Sequence, residues 1–237
     1  MKPIYILLAF VLCSYQVKAQ ETEEAPFTIE TIIKDWNKNK LFFDSVDQMV
    51  VVFRENFQDI KLAGVEKTNG KWNLALRPVK ASIGRNGLID AAHKVEGDGC
   101  TPSGFYALGQ LFSYESKIDT RIPFIQTNAE DKWVDDPNSN NYNTYVRGNT
   151  NARSFENLLL KSIEYKYCMV IEYNTRPVVK GKGSAIFFHV ANITNEKYAP
   201  TSGCVAIAET DMLQYLKWLN PNKKTAIFIF ADDEEDD

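Results

Sequence analysis

The stretch that decides the fold is Ile60-Lys61-Leu62-Ala63-Gly64-Val65-Glu66-Lys67-Thr68-Asn69-Gly70-Lys71-Trp72-Asn73-Leu74-Ala75-Leu76. Two short apolar runs, Ile60–Val65 and Trp72–Leu76, flank Asn69-Gly70, whose residues both tolerate positive φ. This is a strong short-range signal for a β-hairpin. Outward from it, Met49 to Phe53 reads as a further strand, and Val79 to Ile83 continues the pattern into Gly84-Arg85-Asn86-Gly87. Cys168–Tyr173 and Ser184–Val190 are dense apolar runs of strand length, expected in the interior of a sheet. Ala226 to Phe230 is a final strand. Helical spacing occurs in two places. Ile29, Ile32, Ile33 and Trp36 fall on one face of Thr28–Asn39, and Met212, Leu213, Leu216 and Leu219 form a stripe in Glu209–Leu219, stopped by Asn220-Pro221. The expectation is a mostly-β single domain, β-rich α+β, with a few helices.

The loops are less regular. Gly97 to Gly104 is dense in turn formers and predicts a shaped loop, with Phe105–Leu111 a strand or short turn after it. Asp131 to Asn143 predicts a long polar loop. Ser154 to Leu160 predicts a short helix with Ser154 as its N-cap.

The chain has 237 residues, enough for one substantial domain, and its 44% hydrophobic and 24% charged content is that of a globular protein. Lys2, the apolar run Ile4–Cys13 and Val17-Lys18-Ala19 read as a secretory signal cleaved before Gln20. Leu12 is too large for the small residue that lipidation of Cys13 would require. Residues 1–19 are therefore assigned to a signal peptide, 20–45 to an N-terminal helical segment, 46–231 to the main domain and 232–237 to a solvated acidic tail. Removing Lys2 and Lys18 leaves 25 basic against 31 acidic residues, a net charge of −6. No basic stripe remains to neutralise phosphates, so nucleic acid is not an expected partner. No segment after the signal is long and apolar enough for a stable membrane span. The expected product is an exported monomer in the periplasm or cell envelope.

Three cysteines follow the signal, Cys100, Cys168 and Cys204, and an odd count leaves at least one thiol outside any intrachain disulfide. Cys100 is either a free loop thiol or a partner for Cys168. There is no C-x-x-C, and His93 and His189 are the only histidines. This spacing gives no expectation of a structural zinc site. His93 reads as surface structure, Gly181-Lys182-Gly183 lacks the rest of a phosphate loop, and Asn192-Ile193-Thr194 is a formal glycosylation sequon.

The chemistry concentrates in Ile186-Phe187-Phe188-His189-Val190 and Pro200-Thr201-Ser202-Gly203-Cys204-Val205, with Cys204 fifteen residues after His189. An imidazole delivered by a strand can take the proton of a thiol, whose ordinary pKa of about 8.5 leaves it a poor nucleophile at neutral pH. Glycine before the cysteine lets the backbone bend so that N–H groups can face an oxyanion. Spacing alone leaves open the plainer reading, a buried structural cysteine and a satisfied strand-end histidine.

An ordered series of segments narrows the choice. Gly84–Gly87, Glu96–Gly99, Thr101–Phe105, Trp133–Ser139, Val170–Asn174, Gly183–Val190 and Pro200–Ala206 resemble, in that order, segments of the L,D-transpeptidase catalytic-domain (YkuD-type) family, over about Val46 to Phe230. The resemblance implies a β-sandwich catalytic domain whose cysteine attacks a peptide bond in peptidoglycan stem peptides. The resulting acyl-enzyme is resolved by an amine or by water, and the resemblance implies neither a metal nor an organic cofactor. By that resemblance, Cys204 is the nucleophile and His189 its base, oriented by a backbone carbonyl near Val190. The N–H groups of Gly203 and Cys204 are candidates for the oxyanion hole. The commonest family pattern has histidine before the Gly-Cys pair and arginine two residues after the cysteine. This sequence has Ser202 and Ala206 there. Ser202 is a candidate supporting donor, and the loss of a guanidinium at 206 puts carboxylate binding in doubt. Trp133 and Asp135–Ser139 are candidates to line the cleft. The alternative activities are hydrolysis of stem peptides, as an L,D-carboxypeptidase or endopeptidase, and non-catalytic cell-wall binding.

Overall fold

A computed structural model describes residues 28–39, 45–55 and 59–230. The expected signal peptide, residues 1–19, and the acidic tail, 232–237, lie outside the described residues. Helix α1 (Ile29–Asn39) leads into strands β1 (Gln48–Glu55), β2 (Asp59–Thr68) and β3 (Lys71–Ser82), then β4 (Leu88–Asp90), β5 (Thr101–Ser113) and β6 (Phe124–Gln126). Next come β7 (Asp131–Val134), β8 (Tyr145–Arg147), β9 (Phe155–Asn157) and a 3-10 turn, Glu164–Lys166. The chain continues with β10 (Cys168–Ile171), β11 (Phe187–Val190), β12 (Ile193–Thr194), β13 (Lys197–Tyr198), β14 (Val205–Ile207), α2 (Glu209–Trp218) and β15 (Thr225–Ile229).

Asn69 and Gly70, with φ of 52° and 73°, close the β2–β3 hairpin where the sequence places it. From that hairpin the strands run β10-β11-β14-β3-β2-β1-β15-β5, and β5 pairs back onto β10. The circuit therefore closes into a barrel-like sandwich, which leaves few edges unpaired. Closure depends on the long β5: Gly104–Ala107 pair with β15, and Leu108–Phe112 pair with β10.

Side chains of each strand alternate between the interior and the outside of this barrel. Val50, Val52, Leu62, Leu111, Met169, Ile171, Phe188, Val190, Val205 and Ile207 fill the interior, joined by Met212, Tyr215 and Leu216 of α2. The opposite faces of β1 and β2 carry Met49, Val51, Phe53, Ala63 and Val65, covered by Ile29, Ile32, Ile33 and Trp36 of α1. An isolated 11-residue helix is marginal in water. Burying those four side chains at roughly 1.5–3 kcal/mol each holds it in place. Trp36 also meets Trp72 and Phe228 edge-on, at ring-centroid distances of 6.4 and 5.9 Å. A third apolar cluster lies outside β10, β11 and β14. It contains Phe112, Trp133, Leu158, Tyr165, Cys168, Val170, Phe187 and Cys204.

Three expectations are corrected. Thr101–Gly104 belongs to β5 rather than to the preceding loop, because Leu88, Ile89 and Asp90 pair with Thr101, Pro102 and Ser103. Asp131–Val134 is a strand, and only the residues after it form the polar loop. The segment expected as a helix after Ser154 contains strand β9, whose Phe155, Glu156 and Asn157 pair with Val134, Trp133 and Lys132. Tertiary pairing overrides a weak local helix signal there.

Candidate active site

The two residues that carry the predicted chemistry stand on adjacent parallel strands. Phe188 pairs with Val205 and His189 with Ala206, so Cys204 sits level with Phe187, one residue ahead of β14. Phe188, Val190, Val205 and Ile207 point into the barrel. By alternation Phe187, His189, Cys204 and Ala206 share its outer face. Cys204 and His189 are diagonal neighbours on that face. A strand spacing of ~4.8 Å and a two-residue rise of ~6.6 Å put their backbones about 8 Å apart, which the two side chains can span. Both line one cavity of about 430 Å³, together with Arg85, Lys94, Glu96, Asp135, Glu156 and Glu164 among others.

The turn before Cys204 is held by a dense set of bonds. Thr201 N–H donates to Ile83 O at 2.9 Å, and Arg85 N–H donates to Thr201 O at 2.9 Å. Thr201 Oγ1 donates to Cys204 O at 2.7 Å and accepts from Gly203 N–H at 3.1 Å. The Gly203 N–H is thus engaged within the turn. Gly203 has φ of +147°, and a Cβ there would lie 2.9 Å from Cys100 O and 3.0 Å from Ile186 Cδ1. Only glycine satisfies both the backbone conformation and the space.

The Cys204 thiol donates to Ala185 O at 3.3 Å and accepts from Phe187 N–H at 3.4 Å. Ala185 itself has φ of +53°, a left-handed conformation unusual for a residue with a Cβ. Its N–H is fixed by Asn143 Oδ1 at 3.1 Å. Asn143 also accepts from Trp133 Nε1 at 2.8 Å and donates to Tyr173 O and Asn174 O at 3.2 and 2.8 Å. This buried amide therefore holds the carbonyl on which the thiol rests. The strand expected from Ser184 begins only at Phe187, after the left-handed Ala185.

His189 is 5% exposed. Its Nδ1 lies 2.8 Å from Val190 O, and in the neutral ring this fixes the proton on Nδ1 and leaves Nε2 as the basic nitrogen. Tyr165 meets the imidazole edge-on at 5.4 Å between ring centres, and its hydroxyl donates to Glu156. Burial lowers the His189 pKa, against the raising effects of Val190 O and the Glu164 carboxylate. Burial, aided by the Glu156 charge, pushes the Cys204 thiol well up. Both shifts favour a neutral thiol beside a neutral imidazole at rest. Among the described hydrogen bonds none joins them, so attack requires the thiol to turn from Ala185 O.

Ser202 is exposed and accepts from Arg85 Nη1 at 3.0 Å. Ala206, 1% exposed, lies beside His189 on the cavity wall. Asp135 lines the cavity, whereas Asp136–Ser139 are not among its lining residues and Trp133 is buried in the third apolar cluster. His93 is exposed. Cys100, Cys168 and Cys204 are all free thiols, so Cys100 and Cys168 do not pair. Among the described residues no group of three or more His, Cys, Asp or Glu is placed to hold a metal ion. No helix among them is long and apolar enough to cross a membrane. Asn143, Glu156, Tyr165 and Arg85 were not singled out from sequence as parts of the site. Nothing in the polar run to Asn143 or in Phe155-Glu156-Asn157 signals their approach to a cysteine that is distant in the chain.

The family model of the L,D-transpeptidase catalytic domain, YkuD, matches residues 50–229. Two solved structures are similar at low identity. One is the helical cell shape determining protein Pgp2 from Campylobacter jejuni, at 17% identity and TM-score 0.46, with 81% of this chain and 50% of that chain covered. The other is Bd1075 of Bdellovibrio bacteriovorus, at 17% identity and TM-score 0.42, with 80% and 49% covered. The chain thus spans about half the length of these two proteins. No curated protein matches it. The match of a family model over 50–229, most of the chain, makes this protein a member of the L,D-transpeptidase catalytic domain family, a family of cell-wall enzymes.

Proposed function

We propose that this protein is an exported cysteine acyltransferase that cross-links peptidoglycan stem peptides, with Cys204 as nucleophile and His189 as base. The observation that carries the reading is the placement of both side chains on one outer sheet face, lining one cavity. As Sγ attacks the scissile carbonyl, Nε2 of His189 accepts the thiol proton, and the Val190 carbonyl supports the imidazolium through Nδ1–H. The Phe187 N–H, already 3.4 Å from Sγ, stabilises negative charge on sulfur. The oxyanion takes the Cys204 N–H, presented by a turn that the Gly203–Thr201 bond fixes. His189 then protonates the departing amine, the C–N bond breaks, and a thioester remains on Cys204. An acceptor amine attacks the thioester, His189 takes its proton, and the thiol is released.

The test is to incubate the mature protein with tetrapeptide muropeptides and separate the products. Cross-linked or amine-exchanged species are expected, and Cys204→Ala abolishes them. An unchanged profile in that variant removes the assigned role. Hydrolysis is the second reading, favoured by Ala206, a methyl group where the family pattern carries a guanidinium. Incorporation of water without any dimer selects it over transfer.

A further inference from the structure

We propose that Arg85 and Ser202 form a carboxylate anchor at the mouth of the cavity and so set substrate specificity. This rests on the preceding reading for the identity of the scissile bond, but not for the anchor itself. Arg85 lies between β3 and β4, and the backbone there is fixed to the cysteine turn. Its N–H donates to Thr201 O at 2.9 Å, Asn86 N–H donates to Gly99 O at 3.1 Å, and Gly87 N–H donates to Gly84 O at 2.9 Å. The guanidinium is seated as well. Nη1 donates to Ser202 Oγ at 3.0 Å. A Cβ on Gly99, which has φ of +73°, would lie 2.8 Å from Cζ and 3.0 Å from Nε and Nη2. The bare Gly99 backbone is therefore the floor on which the guanidinium rests.

This cation is uncommitted. Arg85 makes no ion pair among the described residues. Lys94, the other cation lining the cavity, is 2% exposed and bound to Asp98 Oδ1 at 2.6 Å and Val95 O at 3.0 Å. A guanidinium has five N–H donors in a planar fork, and the bond to Ser202 uses one of them. The Ser202 hydroxyl accepts that bond and keeps its own proton to donate. Together they offer several convergent donors to one planar anion. Elsewhere the cavity wall carries the carboxylates of Glu96, Asp135 and Glu164, so an entering carboxylate is repelled there and drawn to Arg85.

The position selects the ligand class. Ser202 is two residues before Cys204, at most about 7 Å away along the chain. A carboxylate held there belongs to a peptide whose free α-carboxylate lies one residue beyond the attacked carbonyl. The anchor thus favours peptides attacked at their last bond over internal bonds and over amidated ends.

The test measures equilibrium binding to the Cys204→Ala protein, in which no acyl-enzyme can form. The probes are a stem tetrapeptide with a free C-terminal carboxylate and its C-terminal amide. Adding Arg85→Ala is expected to weaken tetrapeptide binding on the order of 10- to 100-fold, the scale of a charge-assisted contact, and to leave the amide unaffected. Arg85→Lys, which keeps charge without the fork, is expected to fall between. Thermal unfolding and iodoacetamide labelling of Cys204 in the Arg85→Ala protein check that fold and thiol access persist. Tetrapeptide affinity within about twofold of the parent, equal losses for tetrapeptide and amide, or no binding of either peptide to the parent overturns the anchor. Carboxylate discrimination without any acyl-enzyme in the wild type refutes catalysis and sustains the anchor. Acylation that is indifferent to Arg85 does the reverse.

Discussion

Replacing Gly203 by alanine tests whether the cysteine turn is as constrained as its geometry implies. Two separable costs arise. A residue with a Cβ held at positive φ costs roughly 1–3 kcal/mol. The new methyl would also sit 2.9 Å from Cys100 O and 3.0 Å from Ile186 Cδ1. Crowding of that kind in a packed region costs about 1–3 kcal/mol more. The sum is about 2–6 kcal/mol. Gly70 supplies the control, because its φ is +73° but nothing lies within 4 Å of the position a Cβ would take. Gly70→Ala incurs the backbone cost alone, about 1–3 kcal/mol. Urea unfolding of the two variants, followed by intrinsic fluorescence, measures the difference directly. A Gly203→Ala protein no less stable than Gly70→Ala would refute the claim that contact with Cys100 and Ile186 holds this turn.

Other consequences follow from the buried polar groups around the thiol. Tyr165→Phe keeps the ring against His189 but removes the donor to Glu156, and should cost about 1–3 kcal/mol in urea unfolding. Tyr165→Leu, which also loses the edge contact, should lower turnover of stem peptides further, measured as kcat at saturating substrate. The His189 pKa is held below 6.5 by burial, so the imidazole stays neutral and competent as pH falls through that value. The acid limb of kcat/KM should lie below pH 6.5, and a limb above it contradicts the assignment. The same shift means that the unfolded chain takes up a proton that the folded chain refuses, so His189 makes folding less favourable below pH 6.5. With iodoacetamide near neutral pH, peptide mapping should find half-buried Cys100 labelled first. Cys168, fully buried with its thiol pKa pushed well up, should react on the order of 100-fold more slowly, since local opening must precede it.

What the sequence reveals depends on whether structure is written locally. The β2–β3 hairpin is legible because Asn69-Gly70 has little other use between two apolar runs. Helices α1 and α2 are legible from their single apolar stripes. The three-stranded sheet of β7, β8 and β9 is not, since Asp131–Val134 and Phe155–Asn157 are short, mixed in polarity and stabilised by partners about 20 residues apart. Within the site, Cys204 and His189 stand out by residue type and by family pattern. Their shared face does not. Phe187–Val190 and Cys204–Ile207 are buried on both sides, and such runs carry no alternation from which to read inside from outside. Asn143, Tyr165 and Arg85 reach the surroundings of the cysteine only through contacts between segments distant in the chain, and no local pattern marks them.

The central claim is that Cys204 carries the acyl group, and intact-mass measurement after mixing the protein with a stem tetrapeptide and quenching in acid tests it most directly. The account predicts a species heavier by the donor peptide less its leaving residue, mapped to Cys204, reduced in a His189→Ala variant and missing in Cys204→Ala. A wild-type protein that turns over the tetrapeptide with its mass unshifted, or an adduct that persists in Cys204→Ala, would contradict it.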